Sequence, residues 1–120
     1  MRPINVLDIT IAAYEINRAL AQSQGDDSQT TWHEAPDWHK AIVENGVRFH
    51  LDHPHATPEE AHENWKAQRE AAGWKYGPVK DEAKKEHPKI LPYAEVPAVE
   101  KTKDFLFKQI VNSLERFFPN

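Results

Sequence analysis

Residues 57–78 read TPEEAHENWKAQREAAGWKYGP and carry the clearest local structural signal in the chain. Thr57 is a typical N-cap, Pro58 suits the first helical position, and Glu60 completes a capping box three residues after the cap. Gly73 suits the left-handed residue that follows a helix end. The stretch therefore predicts a helix that begins at Pro58 and ends just before Gly73.

Two further helices are predicted in the N-terminal half. Apolar residues recur at helical spacing between Ile9 and Leu20 and indicate a first amphipathic helix. Pro36 suits the first turn of a second helix, which should end before Pro54 because the residue preceding a proline is pushed out of helical geometry. The expected bounds are Asp8 to Gln22 and Pro36 to Leu51.

The segment from Trp74 to Val96 contains Pro78, Pro88 and Pro92 and cannot form one regular element. We expect an ordered, irregular loop with a short strand pair. A final amphipathic helix is then predicted from residue 97 onward, ending before residue 119. The expected buried stripe of the helix that begins at Pro58 is Ala61, Trp65, Gln68 and Ala72. That of the final helix is Leu106, Ile110, Leu114 and Phe117.

The two halves of the chain share a weak internal repeat. In each half an acidic and a basic residue precede a glycine by ten and seven positions: Glu15, Arg18 and Gly25, then Glu63, Lys66 and Gly73. Each half reads helix, loop, helix. We predict a mainly α single domain over 1–120, with an N-terminal half at 5–53 and a second half at 57–118. A pseudo-twofold arrangement would bring both loops to one face; a chance match is the alternative.

Composition excludes several classes of protein. The 120 residues carry a net charge of −4 and contain no cysteine, so disulfides, thiolate zinc sites and cysteine nucleophiles are excluded. Because no continuous basic face is evident, duplex nucleic acid is not an expected partner. The N-terminal stretch is neither a signal sequence nor a membrane span, so we expect a cytoplasmic protein. The large apolar residues are compatible with a homo-oligomer.

Metal binding and catalysis are not predicted. Six of the seven histidines lie between residues 33 and 62, and His50, His53 and His55 could gather around zinc. Their spacing is not a strong metal motif, and Pro54 stiffens the approach. Ser28 with a nearby histidine lacks a nucleophile elbow. We therefore expect no metal, no cofactor and no enzymatic activity.

Residues 58–114 carry a distinctive set of motifs. They are His62-Glu63, Trp65, Gly73-Trp74, Tyr76-Gly77-Pro78, Asp81, Lys84, His87-Pro88, Pro92-Tyr93 and Glu100-Lys101. This set resembles the ryanodine-receptor repeat (RyR) domain family. His87 stands where the channel repeats often have an asparagine. Glu15, residues 17–20, Gly25-Asp26 and Trp32 are similar to the first half of short prokaryotic members.

The resemblance implies a compact α-helical domain without catalytic activity. Prokaryotic and phage relatives have been proposed as receptors for nucleotide-derived signals of the ADP-ribose or cyclic ADP-ribose type, in defence against phage. For this chain we expect a binding module, with sequestration of such an immune messenger by a phage-encoded protein as the sharpest version. An adaptor that grips a partner protein is the alternative, and a hydrolase of the same ligand is a third reading.

A nucleotide needs a flat surface for its base and donors for its phosphates. We expect Trp32, Trp74 and Tyr76 to stack on the base. The predicted phosphate contacts are Arg18, Lys66 and Lys84, and the predicted ribose contacts are Asp26 and Ser28. His62, Tyr93 and Gly77 complete the predicted site, Gly77 because its backbone can approach a ligand. The sequence leaves simpler alternatives open. The tryptophans could pack in the core, the lysines could be solvated, and the glycine and the Asp26–Ser28 pair could serve only to form turns.

Overall fold

The computed structural model describes residues 3–118, and four α-helices make up most of this range. The helices are α1 (Val6–Ser23), α2 (Asp37–Asp52), α3 (Pro58–Ala71) and α4 (Ala98–Leu114). Short 3₁₀ helices cover Trp32–Glu34, Tyr93–Glu95 and Glu115–Phe117, and two strands are β1 (Lys75–Tyr76) and β2 (Glu86–His87). The prediction of a mainly α fold is confirmed. The predicted end of the last helix before Pro119 cannot be compared at Pro119 itself, which lies outside the described residues.

The capping box at the start of α3 forms as predicted. The Thr57 hydroxyl accepts the Glu60 N–H at 3.2 Å, and the Glu60 carboxylate accepts the Thr57 N–H at 3.0 Å. A second capping box joins Asn5 and Asp8, so α1 begins two residues before its predicted start. Pro36 was predicted inside α2 but is its N-cap, because its ψ of 154° is extended rather than helical.

The predicted strand pair is present and is parallel. Lys75 pairs with Glu86, and Tyr76 pairs with His87. Gly77 follows directly, and a Cβ at this position would lie 2.4 Å from the Glu86 Cβ. Only glycine therefore fits where the two strands come together.

The apolar core lies where α1, α2 and α4 meet. Ile9, Val47 and Val111 are fully buried there. On α4, Leu114 of the predicted stripe packs against the core, and Leu106 and Ile110 are half-buried, but the fully buried residue is Val111 and Phe117 is 57% exposed. On α3 the buried residues are His62 and Arg69, not the apolar stripe, because α3 faces a polar interior that a hydrophobic pattern does not register.

The internal repeat extends to buried contacts. In the first half, the Tyr14 hydroxyl donates to the Thr30 carbonyl at 2.7 Å. In the second half, His62 Nε2 donates to the Leu91 carbonyl at 2.6 Å. Tyr14 contacts the Trp32 ring as His62 contacts the Tyr93 ring. In each half, a buried ring on the first helix thus donates to a carbonyl two residues before a 3₁₀ helix and contacts the aromatic residue that begins it.

Other repeated features follow the same alignment. The predicted acid–base pairs form ion pairs, Arg18 with Glu15 at 3.3 Å and Lys66 with Glu63 at 3.7 Å. Gly25 and Gly73 both have left-handed backbones, with φ of 86° and 91°. Lys40 lies over Trp32 as Lys101 lies over Tyr93.

Helix packing obeys the exchange of the two halves. The contact between α1 and α4 corresponds to the contact between α3 and α2. The contact between α1 and α2 corresponds to that between α3 and α4, and α2 also packs on α4. Exchanging α1 with α3 and α2 with α4 leaves this pattern unchanged, which is what a pseudo-twofold arrangement requires. Among residues 3–118, no helix combines the length and apolar character needed to cross a membrane.

The α3 capping box makes a testable contribution to stability. We expect Thr57→Ala to lower the free energy of unfolding by about 1 kcal/mol, because the Glu60 N–H loses its acceptor. Thr57→Ser keeps a hydroxyl at the cap and should retain most of the stability. Urea denaturation of the three proteins measures the difference, and equal losses in both variants would contradict the capping role.

Candidate functional site

A cavity of about 530 Å³ lies between the two halves of the molecule. All four helices contribute to its wall, together with the loop after α1, the loop between β1 and β2, and the segment around Pro88. The two loops that the repeat places in equivalent positions therefore meet at one cavity. Its volume is within the range of small-molecule sites.

Arg69 on α3 contributes a buried positive charge to the cavity wall. The side chain is 3% exposed, and its Cζ lies 4.5 Å from the Trp74 ring centroid, 5.3 Å from that of Trp65 and 5.4 Å from that of Trp38. Burial lowers the pKa of Arg69 to about 10, so the guanidinium remains charged at neutral pH. Three indoles thus surround this cation, an arrangement that cation–π attraction stabilises.

The Arg69 guanidinium is incompletely satisfied. Its Nε and Nη1 atoms are buried and have no hydrogen-bond partner among residues 3–118. Burying an unpaired charge is costly, and aromatic contacts do not replace hydrogen bonds. A planar donor group in this state is suited to bind a carboxylate or a phosphate.

Further cations line the same cavity. Burial and the nearby Arg69 charge lower the pKa of Lys80, which lies on the loop between β1 and β2. Lys89 forms an ion pair with Asp104 across the wall. Lys103 contacts Glu100 at 3.4 Å.

Arg69 and Lys80 differ from these paired lysines. Neither forms a direct ion pair with a carboxylate in the described part of the chain, although Glu82 acts on both, and Asp26 on Lys80, from a distance. The wall therefore has an excess of positive charge near these two residues. An anionic ligand would be favoured there.

Two histidines at the cavity are held neutral. Burial, followed by the charges of Arg69 and Lys80, lowers the pKa of His39 to about 4. Burial and the same charges, with further contributions from lysines, lower the pKa of His87 to about 2. His87 Nδ1 accepts the Lys89 N–H at 3.0 Å, so Nε2 carries the ring proton. Both rings therefore act as neutral polar surfaces at physiological pH.

The part of the wall nearest the core is apolar, with Ile42, Val43, Phe49 and Phe107 as its main components. His50 also lies here, and burial together with Lys108 lowers its pKa to about 4. A flat, uncharged group of a ligand would be suited to this part of the cavity.

Two hydrogen-bond acceptors complete the wall. Asn17 Oδ1 on α1 and Asp104 Oδ2 on α4 are buried, and neither has a partner between residues 3 and 118. Both residues line the cavity. The site thus combines unsatisfied donors on α3 with unsatisfied acceptors on the helices of the other walls.

Comparison with known protein families identifies residues 50–117 as an RyR domain, and this match spans more than half of the chain. The chain belongs to the RyR domain family. The sequence resemblance is thereby confirmed. Neither the curated proteins nor the solved structures contain a match to this chain.

The family match covers only part of the cavity wall. It includes α3 with Trp65 and Arg69, the loop with Lys80, and the cavity-facing part of α4. Tyr14 and Asn17 on α1, and most of α2, lie before the matched range. In this RyR domain the cavity is therefore built jointly by the matched half and by its structural repeat.

Of the predicted ligand-binding residues, Asp26 and Ser28 line the cavity. The Ser28 N–H donates to Asp26 Oδ1 at 2.9 Å, and the Ser28 hydrogen bonds hold the pKa of Asp26 below its usual value. Trp74 is behind the wall, 4% exposed and in contact with Arg69. Its stacking role stays a prediction, although the ring supports a residue that does face the cavity.

The other predicted residues lie away from the cavity. Arg18 donates to the Gln29 carbonyl at 3.3 Å and pairs with Glu15, so it ties α1 to the following loop. Trp32 packs beside it, against Tyr14. His62, Lys66 and Tyr93 are the counterparts of this cluster in the second half.

The last three predicted residues belong to the strand pair and its loop. Tyr76 is 51% exposed. Gly77 permits the close approach of β2. The exposed Lys84 donates its backbone N–H to Asp81 Oδ1 at 3.1 Å. The structure therefore does not bring the predicted set together as one site.

Sequence reasoning missed Arg69, Lys80 and Asp104 as wall residues. A signal for Arg69 was present, because it lies four residues after Trp65 and seven after His62 and thus shares one face of α3 with them. A charged residue on a buried stripe is a stronger pointer to a site than an exposed lysine. In the described range, no group of three His, Cys, Asp or Glu residues could hold a metal ion.

The neutral histidines predict a pH dependence of stability. The folded pKa values of His39 and His87 lie below the value of about 6.5 for an unfolded histidine, so the unfolded chain binds more protons at acid pH. The free energy of unfolding should be highest above about pH 6.5 and should fall toward pH 4, by at most about 1.4 kcal/mol per pH unit for each histidine.

Urea denaturation between pH 7 and pH 4 measures this slope. The double variant His39→Gln/His87→Gln should have a shallower slope than the parent, because two of the groups that take up protons on unfolding are gone. An unchanged slope would show that other groups cause the acid sensitivity.

Proposed function

We propose that this RyR domain binds a small nucleotide-derived anion in the cavity between its two halves. The observation that carries the proposal is the buried Arg69 guanidinium, whose Nε and Nη1 have no partner within residues 3–118. An anion at this point would supply the missing hydrogen bonds and the missing counter-charge.

The cations favour phosphate. Arg69 offers a planar donor group, and Lys80 on the loop between β1 and β2 adds a second charge without a direct ion pair in the described chain. A phosphate or diphosphate would be held between α3 and this loop. Because Arg69 is buried, a contact with its guanidinium is stronger than it would be on the surface.

The aromatic part of the wall suits a base. Trp65, Phe49, Phe107 and His39 line the cavity. Stacking of a base on an aromatic ring contributes about 1–3 kcal/mol, and it needs no base-specific hydrogen bonds. The combined requirement for a flat ring and a phosphate describes a nucleotide, and the family resemblance directs the choice toward ADP-ribose and cyclic ADP-ribose-like molecules.

The proposal predicts ligand-dependent stabilisation. In thermal-shift and calorimetric titrations with ADP-ribose, cyclic ADP-ribose, ADP and NAD, at least one ligand should bind and raise Tm. We expect Arg69→Met to weaken that binding at least about tenfold, since a charge-assisted contact is lost. Methionine keeps much of the side-chain volume among the indoles.

Arg48→Met is the matched control. Arg48 is exposed on α2 and pairs with Glu44 at 3.2 Å, away from the cavity. This variant should bind the ligand like the parent. If no nucleotide binds the parent, or if both variants lose affinity equally, the proposal is wrong.

We further propose that the protein binds its ligand without converting it. The protein would then act by sequestering the ligand, which we propose to be an immune messenger. Protein in excess should lower the free ligand concentration, and denaturation should release the same molecule. Chromatography of the released ligand tests this point, and a cleaved product would indicate an enzyme instead.

An adaptor role is the second candidate. Val79 and Tyr76, on and beside the loop between β1 and β2, are 71% and 51% exposed. Exposed apolar side chains that form a contiguous patch are typical of contacts with other proteins. Retention of a stoichiometric partner by the parent but not by Val79→Ser would favour this function.

A further inference from the structure

The cavity wall is chemically two-sided. Among residues 3–118, the cavity donors without partners belong to Arg69 on α3, and the acceptors without partners are Asn17 Oδ1 on α1 and Asp104 Oδ2 on α4. His50 Nδ1 on α2 is also buried and unpaired, and its tautomer decides whether it donates or accepts. An anion alone could satisfy only the donors. The acceptors require a ligand that also carries hydroxyl or amino hydrogens.

Asp104 is the stronger of the two acceptors because it is charged. Its Oδ1 atom is occupied by Lys89 Nζ, which holds the carboxylate in place. Its Oδ2 atom is buried and has no partner in the described chain. Asp26, the other cavity aspartate from the opposite half, already accepts the Ser28 N–H. The carboxylate with a buried oxygen left to accept is therefore that of Asp104.

Trp65 connects the two sides of the wall. Its ring centroid lies 5.3 Å from Arg69 Cζ and 4.7 Å from Lys89 Nζ, the partner of Asp104. The guanidinium and the Lys89–Asp104 pair thus contact the same indole. Because Arg69, Trp65 and Asp104 all line the cavity, one bound ligand can contact both the donors and the acceptor.

We infer that Asp104 accepts a hydrogen bond from a ribose hydroxyl next to the phosphate held by Arg69. The cavity would therefore bind ribonucleotides more tightly than their deoxy counterparts. This inference rests on the proposed nucleotide-binding function and adds to it a ligand class and a specificity-determining residue. Asn17 Oδ1 is placed as a second acceptor for the same sugar.

The test compares ADP with 2′-deoxy-ADP and 3′-deoxy-ADP by calorimetry, with ADP-ribose as a reference. For the parent protein we expect ADP to bind at least about tenfold more tightly than one of the two deoxy compounds, the effect of a hydrogen bond to a charged acceptor. Asp104→Asn turns the acceptor into an amide while keeping an oxygen for Lys89. The preference should then shrink to less than about twofold.

The loss of the Asp104 charge in Asp104→Asn distinguishes a hydrogen bond to the ribose from a general electrostatic effect on the phosphates. Removing a carboxylate from a cationic cavity should leave the affinity for the deoxy compounds unchanged or higher, because repulsion of the phosphates decreases. A purely structural role for Asp104 would instead weaken all nucleotides equally. Glu44→Gln removes one negative charge from an exposed ion pair on α2 and should keep the ribose preference of the parent.

Each outcome has one meaning. Equal binding of ADP and both deoxy compounds to the parent overturns the inference while leaving nucleotide binding intact. Binding of ADP-ribose without ADP also overturns it, because the recognised groups would then lie elsewhere in the ligand. Failure of all these nucleotides to bind the parent overturns the proposed function itself. The comparison on the parent decides the matter even if Asp104→Asn does not fold.

Discussion

The Arg69 charge is kept from water by three tryptophans that come from different parts of the chain. Trp38 belongs to α2, Trp65 to α3 and Trp74 to the residue just before β1. Their packing around the guanidinium joins α2, α3 and the strand pair at one point. Because the aromatic rings stabilise the charge but accept no conventional hydrogen bond from it, the arrangement leaves donor capacity directed at the cavity.

The duplicated frame carries different chemistry in its two halves. The Schellman-type bond from Asp26 N–H to the Ala21 carbonyl matches the bond from Trp74 N–H to the Arg69 carbonyl. Ala21 thus occupies in the first half the place that Arg69 occupies in the second. The repeat supplies two similar hairpins, and the residue differences place the cavity's cations and the acceptor Asp104 in the second half, with the acceptor Asn17 in the first.

Local chemistry made much of the fold predictable. The Thr57 capping box and Gly73 were visible as short motifs, because each satisfies backbone groups within a few residues. The identity of the buried face of α3 was not predictable in this way. A pattern search expects apolar residues to be buried, whereas α3 buries His62 and Arg69, whose partners are the Leu91 carbonyl and the indole rings.

The division of the cavity between a matched and an unmatched half bears on how such proteins diversify. The buried cation Arg69 lies in the part that matches the family, while Asn17, His39 and Phe49 lie outside it. Exchanges at these outer positions can change the shape of the cavity while Arg69 stays in place. The same helical frame can thereby enclose cavities of different shape around one buried cation, with the variation carried by the half that lies before the matched range.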